Sequence, residues 1–135
     1  MKQFITDASF LISAIHSNDS NHDACYTFYK ENEDSEWIIP ALAYFEYQAT
    51  QSRLEREGRK AYRELYIPNP KIYPITHELI KKVAELELSL VFGGLRGADL
   101  IYACIAKIEE VPLITCDFHF TNYQTEIALI NPLEI

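Results

Sequence analysis

Residues 95–106, LRGADLIYACIA, read as a glycine-interrupted loop, then Asp99 in the first turn of a helix, then an almost wholly apolar helix. Leu100, Ile101, Ala103, Cys104, Ile105 and Ala106 leave little room for a solvated face, so this helix is expected to be buried. A carboxylate at the mouth of such a helix lies near the positive end of its dipole. It is either a helix-starting acid or one wall of a charged site. Arg96, three residues before Asp99, is placed either to pair with an acid or to reach toward a phosphate. Gly93, Gly94 and Gly97 suit a flexible approach to the helix, but they match no phosphate-binding glycine loop.

Working outward, residues 111–115 (VPLIT) form a strand pattern with Asp117 just beyond its carboxyl end, and residues 127–130 give a last short strand before Asn131-Pro132. Upstream, residues 77–88 (HELIKKVAELEL) form an amphipathic helix that should turn Leu79, Ile80, Val83, Ala84 and Leu86 inward, preceded by a strand over residues 71–75. Residues 37–39 are another strand; Pro40 closes it and is expected to occupy the first turn of a long helix reaching about Gly58. The chain begins with a β-type run at residues 4–6, Asp7, a helix from Ser9 to about Ser17, and a second helix over residues 22–33. Five strands alternating with helices imply an α/β fold whose parallel sheet is covered on both faces.

In such folds ligands bind beyond the carboxyl ends of the strands, where the strand order reverses. Asp7 and Asp117 are both at carboxyl ends, and Asp99 heads the helix leading into the Asp117 strand. Each also has a plainer reading: Asp7 as a helix N-cap and Asp117 as a turn-starting residue. Glu46 lies inside the long helix, four residues after Leu42, beside Phe45 and three before Ala49, so it projects from an apolar stripe. Burying an unpaired carboxylate is costly, so Glu46 calls for a salt-bridge partner or a metal ion.

Were Asp7, Glu46, Asp99 and Asp117 to meet, their mutual repulsion would raise some of their pKa values, and a divalent cation would remove the conflict. Oxygen donors alone, with no His or Cys at ligand spacing, favour hard ions, Mg2+ or Mn2+, over zinc. Carboxylate-held ions of this kind serve in-line phosphodiester hydrolysis. No Ser-His-Asp or Cys-His arrangement competes; His16, His22 and His77 are scattered, and only His119, beside Asp117, stands near a candidate acid. Carboxylate pairs also hydrolyse glycosides, but four acids at strand ends exceed what that chemistry uses.

A chain of 135 residues, 48% hydrophobic and without a low-complexity linker, fits one domain spanning residues 1–135. A net charge of −8 argues against a surface that attracts nucleic acid everywhere, yet it allows a local basic patch or acids offset by metal ions. Arg53, Arg56, Arg59, Lys60 and Arg63 form the densest basic stretch, interleaved with Glu55, Glu57 and Glu64, which reads first as a solvated face. Three cysteines without a C-x-x-C pair read as buried reduced thiols. The first residues have neither the apolar length of a membrane span nor a signal-peptide layout, so a cytoplasmic location is expected.

These motifs together resemble the PIN-domain nucleases. ITDASFLISA, with Asp7 and Ser9, is similar to the family's opening motif, Glu46 to its helix glutamate, RGADLIYACIA to its Asp-headed apolar helix, and LITCDFHF, with Thr115 and Asp117, to its final motif. The resemblance covers essentially the whole chain. It implies a three-layer α/β/α sandwich around a central, mostly parallel five-stranded sheet, and Mg2+- or Mn2+-dependent cleavage of RNA. A chain this short looks most like the VapC-type toxins, which dimerise and are held inactive by an antitoxin whose tail enters the acidic groove. Carried across, Asp7, Glu46, Asp99 and Asp117 are the catalytic metal ligands, with Ser9 and Thr115 supporting them by hydrogen bonds. The sequence departs from the pattern at Phe118-His119-Phe120, where many relatives carry a polar or acidic residue soon after the last aspartate, and at Cys116, where a polar residue is more usual. The alternatives are a PIN nuclease of RNA processing and a catalytically silent PIN scaffold that binds a partner or RNA.

Overall fold

The computed structural model describes residues 2–58 and 62–135. Strand β1, Gln3–Thr6, is buried from Phe4 onward because both of its faces are covered, as expected of a central parallel strand. Helix α1, Ala8–Ile15, and helix α2, His22–Glu31, lead to strand β2, Glu36–Pro40, and helix α3, Ala41–Arg56. Strand β3, Lys71–Tyr73, is followed by helix α4, His77–Leu88, helix α5, Gly97–Glu109, and strand β4, Leu113–Ile114. A 3-10 helix, Phe118–Tyr123, strand β5, Leu129–Ile130, and a last 3-10 turn, Pro132–Glu134, complete the chain.

All five strands are parallel, in the order β3-β2-β1-β4-β5. Ile5 of β1 is paired with Ile38 on one side and Leu113 on the other. The chain winds from β1 out to β3 and then returns across the sheet to β4. With right-handed crossovers, the outward and return connections lie on opposite faces. Accordingly α1 packs on α2 and α3, while α5 packs on α4, β1 and β4. This is the three-layer α/β/α architecture that the alternation of strands and helices implied. On the α1 side, Phe10 stacks on Trp37 at 5.7 Å between centroids, with Phe4, Phe28 and Tyr29 around them.

The order reverses between β1 and β4. Their carboxyl ends therefore face one crevice, and Asp7 and Asp117 are the residues that follow them.

Several local expectations need correction. Pro40 is not in the first turn of α3 but is the last residue of β2: its extended backbone (ψ 140°) pairs with Tyr73, and Ala41 is the first helical residue. The apolar stripe of α3 runs through Ala43, Tyr47, Thr50 and Leu54 rather than through Leu42, Phe45 and Ala49. Phe45 is exposed, and Glu46 is half-buried at the stripe's edge. On α4 only Leu79 is buried, with Val83 and Leu86 half-buried; Ile80 and Ala84 face solvent, because the narrow 79-83-86 row is all that meets the core. Helix α1 stops at Ile15, where His16 turns extended and bridges Tyr62. Of the basic stretch, Arg53 and Arg56 are exposed, Arg63 lies over the Tyr26 ring at 3.5 Å, and Arg59 and Lys60 lie outside the described residues. All three cysteines are free and buried.

Candidate active site

Asp7 combines both roles that its sequence position allowed. As the N-cap of α1 it accepts the Phe10 N–H at 2.8 Å through Oδ1. Its Oδ2 accepts two hydroxyls, Ser9 at 2.8 Å and Thr115 at 2.5 Å. The side chain is buried, and burial pushes its pKa up to about 6 from the ordinary 3.8, against the three hydrogen bonds, with the charge of Asp117 adding to the rise.

Thr115 ties this carboxylate to the next one. Its Oγ1 donates to Asp7 and accepts the backbone N–H of Asp117 at 2.9 Å, so the ends of β1 and β4 are fastened across the crevice. Asp117 caps the 3-10 helix by accepting the His119 N–H at 2.9 Å through Oδ1. That leaves Oδ2, which faces His119 Nδ1 at 3.2 Å. The same Nδ1 lies 3.3 Å from Asp99 Oδ2, in the first turn of α5. One donor atom from each of Asp99, Asp117 and His119 falls within 4.8 Å of the others.

This corrects the expectation that no histidine stands at ligand spacing. The sequence places His119 beside Asp117 but does not announce the 3-10 turn that aims its ring. Its contact with Asp99 also spans 20 residues of sequence, which no local pattern encodes.

Glu46 reaches the group only through its charge, felt at Tyr102. The Tyr102 hydroxyl is buried without a hydrogen-bond partner among the described residues. Burial first, then the charges of Glu46, Asp7 and Asp99, push its pKa upward. The charges of three acids, from α3, the end of β1 and the start of α5, thus act on one orphaned hydroxyl. Glu46 itself makes no hydrogen bond or ion pair with another described residue, so the salt-bridge reading of it finds no partner. Arg96 is exposed and likewise pairs with no acid among the described residues.

A divalent cation fits these residues. The half-exposed carboxylates of Asp99 and Asp117 offer hard oxygen donors at the mouth of the crevice. Asp7 keeps a lone pair on Oδ1 after its three bonds, and its raised pKa marks a carboxylate held against repulsion and burial. An orphaned hydroxyl beside such acids is the buried polar group that a hydrated ion would satisfy.

Beside the acids, Cys116 lies 3.2 Å, sulfur to sulfur, from Cys25 of α2. The neighbouring sulfur and burial push the Cys25 thiol above its ordinary range.

A family model described as PIN domain matches residues 4–125. Among solved structures, the chain is similar in fold to VapBC2 from Rickettsia felis bound to a DNA fragment from its promoter. That match has 18% identity and a TM-score of 0.66, and covers 96% of this chain and 98% of that one. DNA-bound VapBC from Salmonella typhimurium (12%, TM-score 0.64) and FitAcB from Neisseria gonorrhoeae (15%, TM-score 0.63) each match over 98% of this chain and 99% of theirs. Comparison with curated proteins gives no match.

Proposed function

Because the chain belongs to the PIN domain family, we propose that it is a metal-dependent endoribonuclease, a single nuclease domain acting as the toxin of a toxin–antitoxin pair. The observation that carries the reading is the meeting of Asp7, Asp99 and Asp117 at the reversal of strand order, with Thr115 bridging the first and last. Mg2+ or Mn2+ bound there would activate water for in-line attack and stabilise charge on the phosphate.

Each residue then has a distinct task. Asp99 and Asp117 hold the ion with their outward oxygens, and Glu46 supplies charge from α3. Asp7 supplies charge from the buried side, oriented by Ser9, Thr115 and the Phe10 N–H. Arg96, exposed and free of an acidic partner among the described residues, is available to an RNA phosphate. An acidic chain of net charge −8 gains affinity for RNA at this spot only where bound cation and arginine offset the local carboxylates.

The fold shared with VapBC complexes supports the toxin role and an antitoxin as partner; a homodimer is proposed from the resemblance of the motifs alone. Cleavage of labelled RNA in Mn2+ by the wild-type chain, lost in Asp99→Asn with the fold retained by circular dichroism, is the expected result. A wild type that binds the ion and leaves RNA intact would instead identify a silent scaffold.

A further inference from the structure

We propose that His119 is a nitrogen ligand of the metal centre, completing with Asp99 and Asp117 a mixed oxygen–nitrogen donor set that selects Mn2+ over Mg2+. The proposal rests on the reading of the crevice as a metal site and adds to it a residue outside the acidic quartet.

The geometry supports ligation in three ways. His119 Nδ1 stands 3.2 Å from Asp117 Oδ2 and 3.3 Å from Asp99 Oδ2. These separations suit a hydrogen bond, and with all three donor atoms within 4.8 Å of one another they also let one small ion reach them together. The other oxygen of Asp117 is engaged by the His119 backbone N–H at 2.9 Å. This orients the carboxylate and leaves its Oδ2 toward Nδ1. Finally, Phe120, fully buried, anchors the 3-10 turn that carries the ring. The core therefore holds the backbone that carries His119, while the imidazole itself is largely exposed.

Chemistry gives the preference. Mg2+ favours oxygen donors and dehydrates reluctantly, whereas imidazole suits transition ions and Mn2+ accepts both donor types. The competing account is an ion pair, in which a protonated His119 merely bridges two acids. The two accounts predict opposite signs. An ion-pairing histidine competes with the metal, so its removal tightens binding; a ligand histidine strengthens binding, so its removal weakens it.

The experiment is calorimetric titration of the full chain with Mn2+ and with Mg2+, for wild type, His119→Gln, His119→Ala and Asp99→Asn. Electron spin-echo spectroscopy of the Mn2+-loaded wild type is run alongside. Expected are a 14N coupling in the wild type that disappears in both His119 variants, and Mn2+ affinity lowered by about tenfold or more, the lower end of what losing a supporting group costs a metal site. Mg2+ affinity should change less, so the Mn2+ preference narrows. Mn2+ bound without nitrogen coupling, or bound as tightly or more tightly by the variants, overturns the ligand role while leaving the acidic site standing. A wild type that binds neither ion, or an Asp99→Asn that binds both unchanged, overturns the reading of the site itself and His119 with it.

Discussion

At the scale of single residues, Asp7 is held only by neutral donors: a backbone N–H and two hydroxyls. Burial outweighs them and lifts its pKa from 3.8 to about 6. An acid raised in this way keeps its proton in the folded chain where the unfolded chain has already lost it. Between about pH 4 and pH 6 the native state thus binds more protons, and stability falls as pH rises through that window. The loss attributable to Asp7 reaches about 3 kcal/mol above pH 6 when no ion is bound. Urea unfolding in chelator at several pH values, on wild type and Asp7→Asn, should show the wild type losing ground against the variant as pH rises from 4 to 7. Parallel curves would mean that Asp7 ionises freely. The sequence set the capping and site roles of Asp7 against each other, but the two oxygens of one carboxylate allow both. Glu46 shows the opposite limit. Its neighbours Leu42, Phe45 and Ala49 suggested a buried stripe, yet the helix turns a different row to the core and leaves Glu46 half-buried at that row's edge.

At the scale of elements, the site depends on two short irregular pieces that no periodicity announces. The 3-10 helix Phe118–Tyr123 carries His119, and the loop before α5 carries the approach to Asp99. They are joined where the Tyr123 hydroxyl donates to the Gly93 carbonyl. Gly94 next to it has φ +103°, and a Cβ there would stand 2.9 Å from that hydroxyl. Gly58 has a similar φ of +96° but open space around it. Both should lose about 1–2 kcal/mol on substitution by Ala, from the left-handed backbone alone. Gly94→Ala should lose more, and the excess should vanish in a Tyr123→Phe background where the hydroxyl is gone. Thermal unfolding of this double-mutant cycle checks the point. Equal costs at Gly94 and Gly58 would mean that the hydroxyl moves aside freely. Long helices such as α5 were legible because seven apolar and small residues in succession, 100–106, admit few other folds. These pieces were not, since their conformation is set by one buried ring, Phe120, and one side-chain bond.

At the scale of the molecule, the alternation of strands and helices was enough to imply a covered parallel sheet, but not its order. That order, with β1 central and the chain recrossing to β4, is what turns acids separated by as much as 110 residues into neighbours. It also distributes them over both helical layers: Glu46 comes from α3 on one face, Asp99 from α5 on the other, and Asp7 and Asp117 from the strand ends between. An ion held by these residues would link the layers and stabilise the whole chain, since it binds the folded state alone. At a free concentration about 100 times Kd the gain is about 2.7 kcal/mol, on the order of 10 °C in Tm for a chain of this size. Mn2+ should therefore raise the Tm of chelator-treated wild type by about that amount. Asp99→Asn should lose most of the rise, whereas Lys71→Ala, on the edge strand and paired with Glu36 far from the crevice, should keep it. A rise retained in Asp99→Asn would place the ion elsewhere on this acidic surface, and the strand-order argument would then account for the fold without accounting for a site.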